Sequence, residues 1–248
     1  MPMEDDGTQG DAVAGDGYYT ATLTEVETIY PNELWRYKVS AVDAQGQEAL
    51  LPLAEELTPN YALYVVDGKN PEPFPTIRLF MEQSVWTWLN NNVSSDEEQP
   101  CLVVIDGEVY DLYQTGGVRF RGHTLRNKPK KSFKIQFAKG NRWDGKRTIN
   151  LNANYQTSPL VRGEAGFMEH LAYEVFRQAG CITPETRAVE LYLNSDYYGL
   201  FIETEQYNED FLDDHNLSDE MVIFKAGVKA TPSYMTPESS LFAYQDKY

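Results

Sequence analysis

Apolar and polar positions alternate with a period of two over much of the chain. Tyr19, Ala21 and Leu23 alternate with Thr20, Thr22 and Thr24, which predicts a strand within Tyr18–Tyr30. Trp35–Val42, Tyr61–Val66 and Thr76–Met81 read the same way. Leu102–Ile105 and Val109–Tyr113 flank Asp106-Gly107, which signals a tight hairpin. Gly116–Arg121 and Ser132–Ala138 alternate most regularly. Val118 and Phe120 share one face of the first, Arg119 and Arg121 the other; in the second, Phe133, Ile135 and Phe137 oppose Lys134 and Gln136. If both apolar sets join one core, Arg119, Arg121 and Lys134 project together on the far side. Each buried Phe or Ile contributes about 1.5–3 kcal/mol, enough to hold that register. Arg187–Leu193 and Tyr197–Thr204 form a further hairpin about Asn194-Ser195-Asp196, and Met221–Lys225 a last strand.

A helical period takes over in two places. Val85, Trp86 and Leu89 fall at helical spacing within Ser84–Leu89. Met168, Leu171, Ala172, Val175, Phe176 and Ala179 then trace a stripe at i, i+3, i+4, i+7, i+8 and i+11, with Gly180 as the stop. At about 100° per residue, Glu169 lies about 80° from the centre of that stripe. It is expected at the border of the buried face, within reach of a cation on an adjacent sheet, while Glu174 points away. Glu205–Glu220 reads as a short helix or loop around Phe211 and Leu212. The pattern as a whole predicts an α+β chain of antiparallel strands with one major helix.

Composition narrows the classes. With 248 residues, 42% hydrophobic and 24% charged, the chain is neither disordered nor fibrous, and it is long enough to fold without a disulfide or metal staple. No apolar run approaches the roughly 20 residues of a membrane-spanning helix. The net charge of −17 argues against nucleic-acid binding. Met1–Gly17 is polar and acidic without an apolar stretch, so it carries no signal peptide and reads as a flexible acidic leader. Residues 18–73 form a β-rich segment, closed by the Gly68–Pro73 linker, that is either a separate small domain or part of the lobe built by the later strands. Cys101 and Cys181 fit one disulfide or two buried thiols.

Charge placement is more informative than its total. Residues 1–60 hold twelve acids against Arg36 and Lys38, and residues 203–220 hold eight acids and no base. Residues 119–147 hold eleven bases against Asp144 alone. Such a segment is either a solvated face or an anion site, and phosphate polymers or an acidic protein partner would fit it as well as a nucleotide. The three histidines lack ligand spacing, and Asp210, Asp213 and Asp214 lack a calcium-type loop, so no metal site is expected. Gly-rich phosphate loops and nucleophile elbows are missing.

Four ordered segments resemble the CotH family of atypical secreted protein kinases. They are Val118-Arg119-Phe120-Arg121-Gly122 with Pro129–Ile135, then Ile149–Tyr155, then Leu171–Gly180, and finally Val189–Asn194 with Tyr198-Gly199-Leu200 and Glu205-Gln206. With Pro75–Leu89 the likeness spans about residues 74–228, and residues 74–248 are taken as the family domain. The resemblance implies an atypical protein-kinase-like fold, of which this chain supplies the antiparallel sheet-rich N-terminal lobe. It implies transfer of the ATP γ-phosphoryl group, with Mg or Mn, to Ser or Thr of a surface or coat protein outside the cell or at its surface. Lys134 or Lys131 would reach the phosphates, Arg121 and Arg119 would add contacts, and Glu169 would be the ion-pair partner. Strand parity favours Lys134 over Lys131. The family's catalytic and metal-holding aspartates would lie beyond Tyr248, so the chain by itself is expected to be inactive. The alternative is a non-catalytic surface or adhesion protein that keeps the fold. Three departures stand out. Arg121-Gly122-His123-Thr124 replaces the family's Arg-Gly-Asn-Ser or Arg-Gly-Asn-Thr. Asn194-Ser195 replaces Asn-Gly. Arg162 matches the family's pre-helix Arg only if Gly163–Met168 is an insertion, which leaves Glu164 as a rival to Glu169.

Overall fold

A computed structural model describes residues 2–22, 32–53, 60–65, 74–114, 116–122, 124–157, 162–164, 167–218, 220–221 and 223. In chain order the strands are β1 (Leu34–Tyr37), β2 (Val39–Val42), β3 (Glu48–Leu51), β4 (Tyr61–Tyr64) and β5 (Thr76–Phe80), followed by helix α1 (Gln83–Asn91). Next come β6 (Leu102–Ile105), β7 (Glu108–Asp111), β8 (Gly117–Phe120), a 3₁₀ turn at Thr124–Asn127, β9 (Phe133–Gln136) and β10 (Thr148–Asn152). The last are β11 (Tyr155–Thr157), β12 (Arg162–Glu164), α2 (Met168–Gln178), β13 (Thr186–Leu193), β14 (Asp196–Glu205) and α3 (Glu209–Asp214).

Eight of these strands form one sheet in the order β7-β6-β5-β13-β14-β10-β9-β8. Every neighbouring pair is antiparallel except β5 and β13, which run parallel. The α+β, largely antiparallel architecture is therefore present, with one parallel pair where the chain crosses through α1 and the β6–β10 strands before returning. The β6–β7 turn is as expected: Asp106 and Gly107 both take positive φ, 50° and 90°.

Alternation builds the core on one face of this sheet. Val118 faces Ile135 and Phe120 faces Phe133 across β8 and β9, and all four are buried. Ile149 and Leu151 continue the layer on β10, Phe201 on β14, Val189 and Leu191 on β13, and Ile77 and Leu79 on β5. Helix α1 closes it with Val85 and Leu89, and the Trp86 ring meets Phe120 edge-on at 5.9 Å. Gly116 is required beside the β8–β9 edge, because a Cβ there would lie 2.2 Å from the Gln136 carbonyl oxygen.

The N-terminal part departs from expectation in detail. The span Trp35–Val42 breaks at Lys38 into β1 and β2, which pair with β4 and β3 respectively instead of continuing one strand. β3 was not anticipated. Residues 18–22 contribute one isolated bridge, Thr20 to Glu4, while 23–30, the Gly68–Pro73 linker and most of Met221–Lys225 lie outside the described residues. Residues 2–20 form a loop in which Asp5 accepts from the amides of Gly15, Asp16 and Gly17, and Asp11 from Gly7 and Val13. The β1–β4 pair meets the main sheet where Arg36 stacks over the Tyr113 ring at 4.2 Å and where Tyr64 meets Phe80. Both cysteines are free thiols, Cys101 buried and Cys181 exposed.

Helix α2 occupies its expected span, and Gly180 follows it at φ 86°. Its orientation reverses the expectation. Met168, Leu171, Val175 and Phe176 are all exposed, by 56–63%. The sheet face beneath it carries Asn150, Thr204 and Thr186 in register across β10, β14 and β13, with Asn152 opposite the buried Ile202. The helix docks on that face through its polar edge. His170 contacts the Thr186 hydroxyl at 2.7 Å, Arg177 donates to the Pro184 carbonyl at 3.0 Å, and Glu169 reaches Asn152.

Candidate functional site

The face opposite the core carries a cross-strand row fixed by backbone register. Arg119 on β8 pairs with Lys134 on β9, Lys134 with Asn150 on β10, and Asn150 with Thr204 on β14. Arg121, two residues past Arg119, leaves β8 on the same side. Arg119 and Lys134 thus lie side by side in register, and Arg121 follows on the same side of the sheet.

The partners of these cations were not predicted. Arg119 Nη1 donates to Asp96 at 2.8 Å, and Arg126 Nη2 reaches the same carboxylate oxygen at 2.5 Å. Arg126 also donates to the carbonyls of Gly122 and Ser95, pinning the 3₁₀ turn to the loop that holds Asp96. Lys134 Nζ lies 3.7 Å from Glu98. The loop between α1 and β6 thus sets two acids against the cationic row. The hydrogen bond from Arg126, helped by the charge of Arg119, holds the Asp96 carboxyl below its ordinary range. Burial lowers the Lys134 ammonium, and Glu98 opposes that shift.

Arg121 has a different environment. Its Nη1 donates to Asn152 Oδ1, while Asn152 Nδ2 donates to both oxygens of Glu169, at 2.6 and 2.8 Å, and lies 3.1 Å from Thr204 Oγ1. Burial pushes the Arg121 guanidinium down, and the Glu169 charge pushes it back up. The expected pair of Glu169 with Lys134 is corrected here: Lys134 pairs with Glu98, and Glu169 reaches Arg121 through Asn152. The cause is lateral distance along the sheet. α2 lies over β13 and β14, and β10 intervenes between it and Lys134 on β9.

Lys131 does not join the row. Its Nζ donates to the Arg126 carbonyl at 2.6 Å and sits over the Phe120 ring, tethering the 3₁₀ turn to β8. Lys130 is buried, its Nζ 2.6 Å from the Leu200 carbonyl and above the Phe201 ring. The rival Glu164 falls in β12, and its side chain lies outside the described residues. Asn152, Thr204, Asp96 and Glu98 were missed. Asn152 had a readable signal: it alternates with Leu151 and Ala153, which places it on the face opposite the core. Among the described residues, the acids close enough together to share a cation are Asp5, Asp11 and Asp16 in the N-terminal loop, not on this face.

Chemically, the face carries three cations, one of them largely withdrawn from water and coupled to a helix carboxylate. It suits a multiply charged anion with oxygens spread over several ångströms. Residues 118–247 match the family described as CotH kinase protein. The chain is also 24% identical over 168 residues to the inner spore coat protein H of Bacillus subtilis (strain 168), a match covering 68% of this chain and 44% of that protein. The matched region begins on β8, at Val118, and takes in α2, β13 and β14. With more than half of its length inside that family match, the chain belongs to the CotH family.

Proposed function

We propose that this chain is the sheet-rich lobe of a CotH-type protein kinase with a kinase-like fold, and that the face carrying Arg119, Arg121 and Lys134 receives the phosphates of ATP. The observation that carries the reading is the register itself: two adjacent strands hold three cations on the face away from the core, beside a helix that supplies an acid. Phosphoryl transfer is mostly positioning and charge stabilisation, which such a face can provide. The γ-phosphoryl group would pass to a Ser or Thr hydroxyl of a surface or coat protein, in keeping with the spore-coat name of the relative. Residues 74–248 would form the kinase domain, and residues 18–73 either a separate small domain or part of its lobe. Among the described residues of this face, no three acids, histidines or cysteines lie close enough together to hold Mg or Mn. No helix among the described residues is long and apolar enough to cross a membrane.

A second reading, a non-catalytic surface or adhesion protein, draws on the pairing of Arg119 with Asp96 and Lys134 with Glu98, which already neutralises two of the three cations. Calorimetric titration of ATP into the protein as encoded, with and without Mg²⁺ or Mn²⁺, separates the two. Lys134→Ala and Arg121→Ala, checked for folding by circular dichroism, are expected to weaken binding about tenfold or more each. A folded wild type that binds no ATP would refute the kinase reading and leave adhesion.

A further inference from the structure

We infer that Asn152 is a positioning residue whose carboxamide locks the Arg121 guanidinium to Glu169, so that Arg121, not Lys134, is the cation governed by α2. The inference rests on the reading of this face as a phosphate site and adds the residue that organises it. Arg121 and Glu169 come from elements that do not pair: β8 is the edge strand of the sheet, and α2 lies above β13 and β14. A side chain of β10 spans the gap: Asn152, which sits opposite Ile202 in register. Its oxygen accepts from Arg121 Nη1 while its nitrogen serves Glu169 and lies within reach of Thr204 Oγ1.

A carboxamide suits this bridge. A guanidinium offers only donors and a carboxylate only acceptors, so a bridge between them must accept on one side and donate on the other. Aspartate would set two carboxylates face to face, and leucine would leave a largely buried guanidinium without its acceptor. Thr204 Oγ1 lies 3.4 Å from Glu169 and fixes the carboxylate from the β14 side. The guanidinium is thereby aimed before any anion arrives, which lowers the ordering cost of binding.

The test reads Asn152→Leu and the near-isosteric Asn152→Asp in two ways, so that a folding failure of the first leaves the second. Nitrogen-15 NMR of the Arg121 guanidinium needs no nucleotide. Hindered rotation is expected in wild type and in Lys134→Ala, and averaged signals in Asn152→Leu. In ATP titrations each Asn152 variant should bind about tenfold more weakly, and Asn152→Leu should add nothing to Arg121→Ala in a double-mutant cycle. An unchanged Arg121 signal in Asn152→Leu, or additive losses in the cycle, overturns the inference. If the signal averages as expected but wild type binds no ATP, the positioning role stands and the phosphate reading falls.

Discussion

Lys130 buries its ammonium against the Leu200 carbonyl and the Phe201 ring, whereas Lys134, four residues on, keeps its own at the edge of a polar face beside Glu98. The two belong to one basic run and have different roles. Lys130→Ala should lower stability by about 2 kcal/mol in chemical denaturation, because it strands a carbonyl and removes a packed stem, and should leave anion affinity unchanged. Lys134→Ala should do the reverse, costing under about 1 kcal/mol of stability while weakening ATP binding. Sequence parity sorted Lys134 correctly, since alternation along a strand is local and decides which way a side chain points. It could not sort Lys130 or Lys131, which lie before β9 in a segment without a period. Nor could it find Asp96 or Asn152, whose partners Arg119 and Arg121 lie 23 and 31 positions away along the chain. Those contacts exist only once the sheet has closed.

The strands were readable almost throughout the main sheet because one side of each is buried in a single core. Helix α2 was readable in span and not in orientation. An amphipathic stripe states that an apolar face exists; which side of the helix meets the sheet depends on residues such as Asn152 and Thr186 on other strands. The loop between α1 and β6 has no hydrophobic period, yet it supplies the counter-charges of the cationic row. Asp96→Asn with Glu98→Gln should therefore raise affinity for ATP or polyphosphate severalfold, most visibly at low salt. The pH response has a definite sign. The Asp96 carboxyl sits below its ordinary value of 3.8 in the folded protein, so its contribution is complete above that value and is lost as pH falls below it. Anion binding measured down through that window should strengthen as the loop lets go, and should not do so in the double variant.

At the scale of the molecule, the −17 charge is not spread evenly: acids crowd the first 60 residues and the stretch after β14, and the basic run between them is engaged locally, by Asp96, Glu98 and Asp210. The sheet and α1 share one apolar core, while α2 is held to that body by hydrogen bonds in which Glu169 accepts from Asn152, His170 meets Thr186 and Arg177 donates to Pro184. The exposed stripe therefore bears on how the protein comes apart. Opening α2 wets little apolar surface that is not wet already, so it should add little to the heat capacity of unfolding and need not wait for the core. Hydrogen exchange is expected to show the amides of Leu171–Phe176 protected far less than those of Val189–Leu191, through openings that leave the sheet intact. Equal protection in the two places would mean that in solution the stripe is covered and that the helix melts as part of the core.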